Sequence, residues 1–331
     1  MANSDRAEAQ DPLQNLLKDA FFPEFPGYSR GKVRDNYDLA DGRRIMISTD
    51  RQSAFDQVLA AVPFKGQVLN ETARFWFEAT SDIIPNHALS FPDPNVTVAK
   101  RLTMLPVEIV VRDYLTGSTA TSLLPMYQAG QRKLYGHVLP DGLRANQRLP
   151  KTLITPTTKG ARGGHDEPIT ATQIVEHGLL SRSVWENVET AALALFERGR
   201  QIADSRGLIL VDTKYEFGTD VDGQLILADE VHTPDSSRYW YKASYADRLS
   251  SGHYPESLDK EFLRRWIADR CDPYRDPIPD IPRETLMEFS RRYIALYETI
   301  TGARFMPPPP HPPIRDRVFA NLESYLAEER A

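Results

Sequence analysis

Apolar and polar positions change period several times along the chain, and each change marks an element. From Gly31 the pattern alternates as in a strand, GKVRDNYDL and then RRIMISTD, with Asp41-Gly42 between them as a hairpin turn. Helical spacing takes over at residues 70–80 (NETARFWFEAT), and residues 106–112 (PVEIVVR) are a short apolar run suited to a buried strand. Residues 130–168 hold few periodic apolar positions and predict a long irregular excursion, a length of loop that is usually functional or disordered. A helix follows over residues 183–206, apolar at Val184, Val188, Ala191, Ala192, Leu195 and Ile202, with Gly207 where a helix-ending glycine belongs. Two strands, LILVDTKYEFG and GQLILADEV, then flank the turn residues Thr219 to Gly223 as a hairpin. Further helices are predicted at 259–270 and 282–301. PPPPHPP at 307–313 is a stiff extended strap, and 315–330 a closing helix. Residues 1–25 read as a mobile or loosely docked lead-in. No internal repeat emerges, and the elements together predict an α+β chain in two lobes.

Composition narrows the class. The 331 residues allow one large domain or two intimate ones, and 41% apolar with 26% charged residues is ordinary for a globular protein. No stretch nears the roughly 20 apolar residues of a membrane helix. The opening MANSDRAEAQDPLQNLL has neither the basic nor the apolar part of a secretion signal. With no stretch of membrane-helix length, no membrane partner is expected; a single cysteine, Cys271, excludes an internal disulfide framework, so a reducing cytoplasm is expected. The formal net charge of −6 argues against a general nucleic-acid binder. An anionic small substrate stays open, because screening lets a local cation cluster outweigh distant charges.

Candidate chemistry concentrates in the C-terminal hairpin. Asp212, Lys214 and Glu216 alternate on its first strand and so project from one face, and its second strand ends in Asp229-Glu230. A hairpin can bring Glu216 near Asp229, and two carboxylates beside a lysine suit Mg²⁺ completed by phosphate oxygens. A solvated strand face of alternating charge has the same pattern. The following HTPDSSRYW is turn chemistry at Thr233-Pro234-Asp235, after which Ser236, Ser237 and Arg238 offer donors for phosphate or carboxylate. A decorated surface turn reads the same. Gly31, Lys32 and Arg34 open the first hairpin and suit a nucleotide lid, without a Walker GxxxxGK(S/T) or a GxGxxG. Cations beside hydroxyls or carboxylates recur at 50–56 (DRQSAFD), at Arg112 with Thr116 to Thr119, and at Lys159 with Arg162, Gly163, Gly164, His165 and Asp166. HExxH and GxSxG are absent and Cys271 has no activating neighbourhood, which disfavours zinc enzymes and hydrolases. Tyr239, Trp240 and Tyr241 read as core packing rather than a base-stacking platform.

In family order from residue 31 to about 266, GKVRDNY, STDRQSAFD, LPVEIVVRDYLTGS, ITPTTKG with GHDEPIT, LILVDTKYEFG, LADEVHTPDSSRYW and LDKEFLRRW resemble the SAICAR synthetase family, in its longer single-chain branch. The resemblance implies an ATP-dependent ligase of de novo purine biosynthesis. It would condense L-aspartate with carboxyaminoimidazole ribonucleotide (CAIR), giving SAICAR, ADP and phosphate through an acyl phosphate. Phosphoryl transfer needs positioning and charge neutralisation more than a protein nucleophile, which suits this residue set. The implied fold is α+β, with an ATP cleft between an N-terminal antiparallel-sheet lobe and a larger C-terminal α+β lobe. Its expected divisions are a lead-in at 1–26, a nucleotide-covering lobe at 27–112, a substrate and Mg²⁺ lobe at 113–306, and the strap with its helix at 307–331. A monomer is expected. By matched position, Gly31, Lys32, Arg34, Met104, Glu108 and Lys159 belong to ATP, with Met104 at the linker whose backbone reads adenine. Glu216 and Asp229 belong to Mg²⁺, and Lys214, Asp212 and Asp56 to the catalytic group. Arg112, Ser118, Asp166, Ser237 and Arg238 belong to the substrates. Asp113 stands where the family pattern leads one to expect glycine, and an inward carboxylate there would weaken the anion role of Arg112. Two other readings compete: a small-molecule kinase or other ATP enzyme on a related fold, and a nucleotide-binding regulator without turnover.

Overall fold

A computed structural model describes residues 11–55, 57–119, 121–159 and 166–329. The first alternating stretch gives β1 (Tyr28–Arg30), β2 (Arg34–Asp38) and β3 (Arg43–Ser48), with Gly42 at φ +85° closing the expected turn. A separate small hairpin, β4 (Arg51–Ala54) with β5 (Gln57–Ala61), leads into α1 (Lys65–Ala79). Then β6 (Ala88–Asp93) and β7 (Val96–Lys100) complete a five-stranded antiparallel sheet ordered β1-β2-β3-β7-β6. Helix α1 begins five residues before the apolar period does, because its first two turns bury polar Lys65, Gln67 and Asn70. Gly66 permits this approach: a Cβ there would lie 2.3 Å from the Ser48 carbonyl oxygen.

The second sheet has eight strands. β8 (Thr103–Met104) and β9 (Val107–Tyr114) enter it first, followed by α2 (Leu123–Gln128) and a tiny hairpin, β10 (Lys133–Leu134) with β11 (His137–Val138). β12 (Arg148–Ile154), β13 (Thr157–Thr158) and β14 (Glu167–Pro168) come next, then α3 (Ala171–Glu176) and α4 (Arg182–Ser205). β15 (Leu208–Thr219), β16 (Leu225–Ala228) and β17 (Ser237–Tyr241) finish the sheet, in which β15 contacts β9, β16, β17 and β8. The irregular excursion expected at 130–168 is thus corrected. β12 pairs antiparallel with β9 through a register shift, which breaks the period-two pattern that would have revealed it. Leu134, Leu139, Leu149 and Leu153 also form a local core with Leu115 and Leu123.

One face of this sheet is apolar. Val107, Ile109 and Val111 of β9 and Tyr215 and Phe217 of β15 join Trp185, Val188, Leu195 and Phe196 of α4 in the main core. Helix α4 is capped by Ser181, whose hydroxyl accepts from Val184 N–H at 3.3 Å, and ends at Gly207 with φ +73°. The opposite face holds the alternate residues, and these build the site described below.

The remaining helices are α5 (Lys242–Ser250), α6 (Glu261–Ala268), α7 (Arg283–Thr301) and α8 (Ile314–Glu328). Val318 and Leu322 of α8 pack with Tyr37, Ile45 and Val98, so the closing helix covers the five-stranded sheet. The lead-in is likewise corrected over residues 11–25: Leu17, Ala20 and Phe22 are buried in that same core. Carboxylates fix its backbone, with Leu17 N–H donating to Asp50 at 2.7 Å and Ala20 N–H to Asp35 at 2.9 Å. No helix among the described residues is long and apolar enough to cross a membrane.

Candidate active site

Alternate residues of a strand share a face, and the pairing of strands arranges the rest. In register, Arg112 of β9 and Arg238 of β17 both stand opposite Asp212 of β15. Glu216 pairs with Ala228, the last residue of β16, so the chain leaving β16 delivers Asp229 next to it. Asp229 adopts φ +63°, the left-handed backbone that reverses the chain there. Beyond it His232 is fully buried and hydrogen-bonds the Tyr215 hydroxyl at 3.1 Å. Gly199 of α4 leaves room for that ring, since a Cβ would lie 2.6 Å from it.

Lys214 is the hub of the resulting cluster. Its Nζ lies 2.5 Å from Glu216, 3.0 Å from Asp229 and 3.7 Å from Glu108. Arg34 reaches across from the five-stranded sheet, pairing with Asp229 and, at 2.5 Å, with Glu230, while Lys159 pairs with Glu216. All of these groups except Glu108 line a cleft of about 560 Å³ to which the Gly31–Arg34 turn and Met104 also contribute. Burial works against the Lys214 charge, but Glu216, Asp229 and Glu108 outweigh it and hold the ammonium well above its ordinary range. Burial likewise opposes the Asp229 charge, and Lys214 and Arg34 overcome it, keeping that carboxylate below the usual range. Two carboxylates bonded to one ammonium are close enough to share a cation. Mg²⁺ takes one or two protein carboxylates when substrate phosphates complete its shell, so Glu216 and Asp229 fit it.

A second, smaller pocket of about 40 Å³ adjoins the cleft, lined by Arg238, Lys260 and Arg264 among others. Arg238 donates to Asp212 at 2.7 Å, and Arg112 shares the same oxygen at 3.3 Å. The Nε atoms of Arg238 and Arg264 are buried with no hydrogen-bond partner among the described residues, donors that an anionic ligand would satisfy. Burial and the neighbouring Arg264 lower Lys260 to about 8, against the pull of Asp235 and Glu230. Burial pushes Asp259 up to about 7 despite Arg238. Gly117, at φ +99°, brings the loop after β9 against this group, where a Cβ would lie 3.4 Å from the Arg238 guanidinium. Asp235 and Lys260 line both cavities and so form their common wall.

The family model described as SAICAR synthetase matches residues 27–281. The chain belongs to the SAICAR synthetase family. A protein of Mesorhizobium japonicum, provisionally assigned as a second phosphoribosylaminoimidazole-succinocarboxamide synthase, is 59% identical over 310 residues, 94% of this chain and 99% of its own. The phosphoribosylaminoimidazole-succinocarboxamide synthase of Legionella pneumophila is 51% identical over 298 residues, 90% of this chain and 95% of its own. A solved SAICAR synthase from Saccharomyces cerevisiae, complexed with SAICAR, is similar at TM-score 0.74 and 30% identity, over 87% of this chain and 99% of that one. Membership makes this chain an enzyme, a ligase of purine biosynthesis.

Against the assignments that the family resemblance implies, the cleft gathers Gly31, Lys32, Arg34, Met104 and Lys159 with Lys214, Glu216 and Asp229. Glu108 stands beside it, held by Lys214. Arg238 and Ser237 border the smaller pocket, and Arg112 joins them through Asp212, which clamps both arginines. The Ser237 hydroxyl donates to Thr213 at 2.8 Å and so ties β17 to β15. Ser118 is exposed and hydrogen-bonds Glu261, while Asp166 is exposed with its charge near Glu108. Asp56 lies outside the described residues, as do Arg162, Gly163, Gly164 and His165. Asp113 faces the other side of β9, toward Thr152 at 2.5 Å, Arg200 at 3.1 Å and Arg148 at 3.3 Å. Its charge is thereby turned away from Arg112. Tyr239 and Trp240 are core residues, whereas Tyr241 is 37% exposed.

Lys65, Glu230, Asp235, Lys260 and Arg264 escaped assignment from the sequence. Lys260 and Arg264 lay inside the LDKEFLRRW stretch, four residues apart, so their shared helical side was a usable signal. Lys65 gave none, because a lysine opening a helix is ordinary until its burial is known. Asp50 and Arg51 have structural work instead: Asp50 also accepts from Gly66 N–H, and Arg51 forms a buried pair with Asp35 at 2.7 Å.

Proposed function

We propose that the chain joins L-aspartate to CAIR, using ATP and Mg²⁺, to give SAICAR, ADP and phosphate. The observation that carries this reading is the wall shared by the two cavities at Asp235 and Lys260. Two ligands held across one wall can exchange a phosphoryl group without a diffusional step, and effective concentration then supplies much of the barrier lowering. In this reading Lys32 and Arg34 cover the ATP phosphates, and the backbone at Met104 reads adenine, with Lys159 and Glu108 nearby. Glu216 and Asp229 hold Mg²⁺, whose contribution when bound is to neutralise phosphate charge. Arg112, Ser118 and Arg238, aided by Lys260 and Arg264, grip the phosphate or carboxylate of the ribonucleotide.

Phosphorylation of the CAIR carboxylate breaks the bond between the γ-phosphorus and the ADP oxygen and makes an acyl phosphate. The aspartate amine then attacks the carbonyl carbon, the amide forms, and phosphate leaves with its bonding pair while the nitrogen gives up a proton. Asp212, Lys214 and Asp166 act as charge-positioning groups in this sequence. A cytoplasmic monomer with small-molecule partners alone, and neither nucleic acid nor membrane, completes the reading. ADP release coupled to a spectroscopic readout tests it, with CAIR present and aspartate added or withheld. ADP release that needs both is expected; equal release without aspartate would identify a kinase, and no release would end the proposal.

A further inference from the structure

Lys65 opens α1 and is fully buried. Its Nζ lies 2.8 Å from Asp235, and the Tyr293 hydroxyl of α7 donates to the other carboxylate oxygen at 2.7 Å. These partners come from 170 residues before Asp235 and 58 residues after it. An ion pair kept away from water is seldom retained for stability, since its desolvation offsets the attraction. A buried lysine and a buried tyrosine aimed at one carboxylate therefore call for another reason. Asp235 supplies it by position, because it lines both cavities while neither Lys65 nor Tyr293 lines either.

We infer that Lys65 and Tyr293 are positioning residues that fix the Asp235 carboxylate as the acceptor for the amine of the amino-acid co-substrate. The inference rests on the ligase reading above. Forming an amide requires an amine beside a carboxyl group that is itself surrounded by cations. Of the two charged residues common to both cavities, Lys260 suits the anion and Asp235 suits the amine. Each Asp235 oxygen already receives one hydrogen bond, so the carboxylate is held against rotation and keeps lone pairs for a ligand. Burial alone would raise Asp235, but Lys65, then Lys260, and the bonds from Lys65 and Tyr293 bring it down to about 2. It therefore stays ionised and acts as an acceptor, not as a base. Charged neighbours from other elements, Arg34 and Glu230, complete its surroundings.

The test is the pH dependence of kcat/KM for aspartate, measured by ADP release with saturating ATP and CAIR, for the unsubstituted enzyme, Lys65→Met and Tyr293→Phe. Aspartate-dependent release by the unsubstituted enzyme comes first, and its absence would overturn the ligase reading itself. Given that activity, both substitutions should raise the aspartate KM about tenfold and leave the ATP KM within about twofold. Both should also move the acid limb of the profile up by about one pH unit, a tenfold loss at its foot. In an Asp235→Asn background neither should cost much more, because residues acting through one group are not additive. An unchanged aspartate KM and acid limb, or full additivity with Asp235→Asn, would overturn the inference. Tyr293→Phe removes a single oxygen, so it carries the test if Lys65→Met does not fold, as thermal unfolding will show.

Discussion

Asp229 and Lys260 show how burial and neighbouring charge set the work of single residues. Burial penalises both, yet Asp229 is held ionised by Lys214 and Arg34, while Lys260 has Arg264 against it and falls to about 8. Asp229→Asn keeps the shape and removes the charge, so it should raise the Mg²⁺ concentration needed for half-maximal rate by about tenfold or more. Titrating Mg²⁺ in the ADP-release assay reads this, and an unchanged requirement would strike Asp229 from the ligand set. For Lys260 the sign follows from which form meets the ligand. An anion pairs with the protonated amine, so binding draws a proton onto Lys260 once the free enzyme has lost it, above about pH 8. CAIR affinity should then fall by up to about tenfold per pH unit above 8 and be flat just below it. Calorimetry across pH 7–10 checks this, with Lys260→Met expected to remove the slope. Asp113 is a residue whose placement was legible in advance: 112 and 113 on one strand must face opposite ways, so its outward turn follows once β9 is known to be a strand.

At the scale of elements, the ends of the chain were the least legible. Leu17, Ala20 and Phe22 are too few and too irregularly spaced to announce a buried segment, and their partners Val318 and Leu322 lie about 300 residues away. Neither end shows its purpose alone, because each covers apolar surface that only the assembled five-stranded sheet presents. Leu322→Ala opens a cavity in this seam and should cost about 2–5 kcal/mol, read from denaturant unfolding. A loss below about 0.5 kcal/mol would mean that α8 does not seal that sheet. β12 was hidden for another reason: a register shift removes the alternation by which strands are recognised, and pairing with β9 supplies what the pattern lacks. The hairpin of β15 and β16 stood out because turn residues and alternating charges sit close together in sequence, where local rules apply.

Across the whole molecule the five-stranded and eight-stranded sheets meet at Arg34, whose guanidinium engages Asp229 and Glu230. A ligand that binds only the folded state stabilises it by RT ln(1 + L/Kd) at free ligand concentration L, so ADP with Mg²⁺ should raise the thermal midpoint by several degrees. Arg34→Ala should remove most of that increment, and EDTA should do the same to the unsubstituted enzyme; an increment untouched by both would place the nucleotide elsewhere. The sequence by itself determined whatever depends on neighbours a few residues apart. That includes the α+β class, the long helix with its glycine stop, the hairpins, and the single strand face shared by Asp212, Lys214 and Glu216. Motif order added the family. Only the tertiary structure decided which charges meet: Lys65 with Asp235, Arg34 with Glu230, Arg112 and Arg238 on one oxygen of Asp212, and Lys260 in the wall between two cavities. Periodicity encodes which side of an element is apolar, and it carries nothing about which distant polar residue will be brought within 3 Å. That is set by strand register and helix packing, and it is where the chemistry of this site resides.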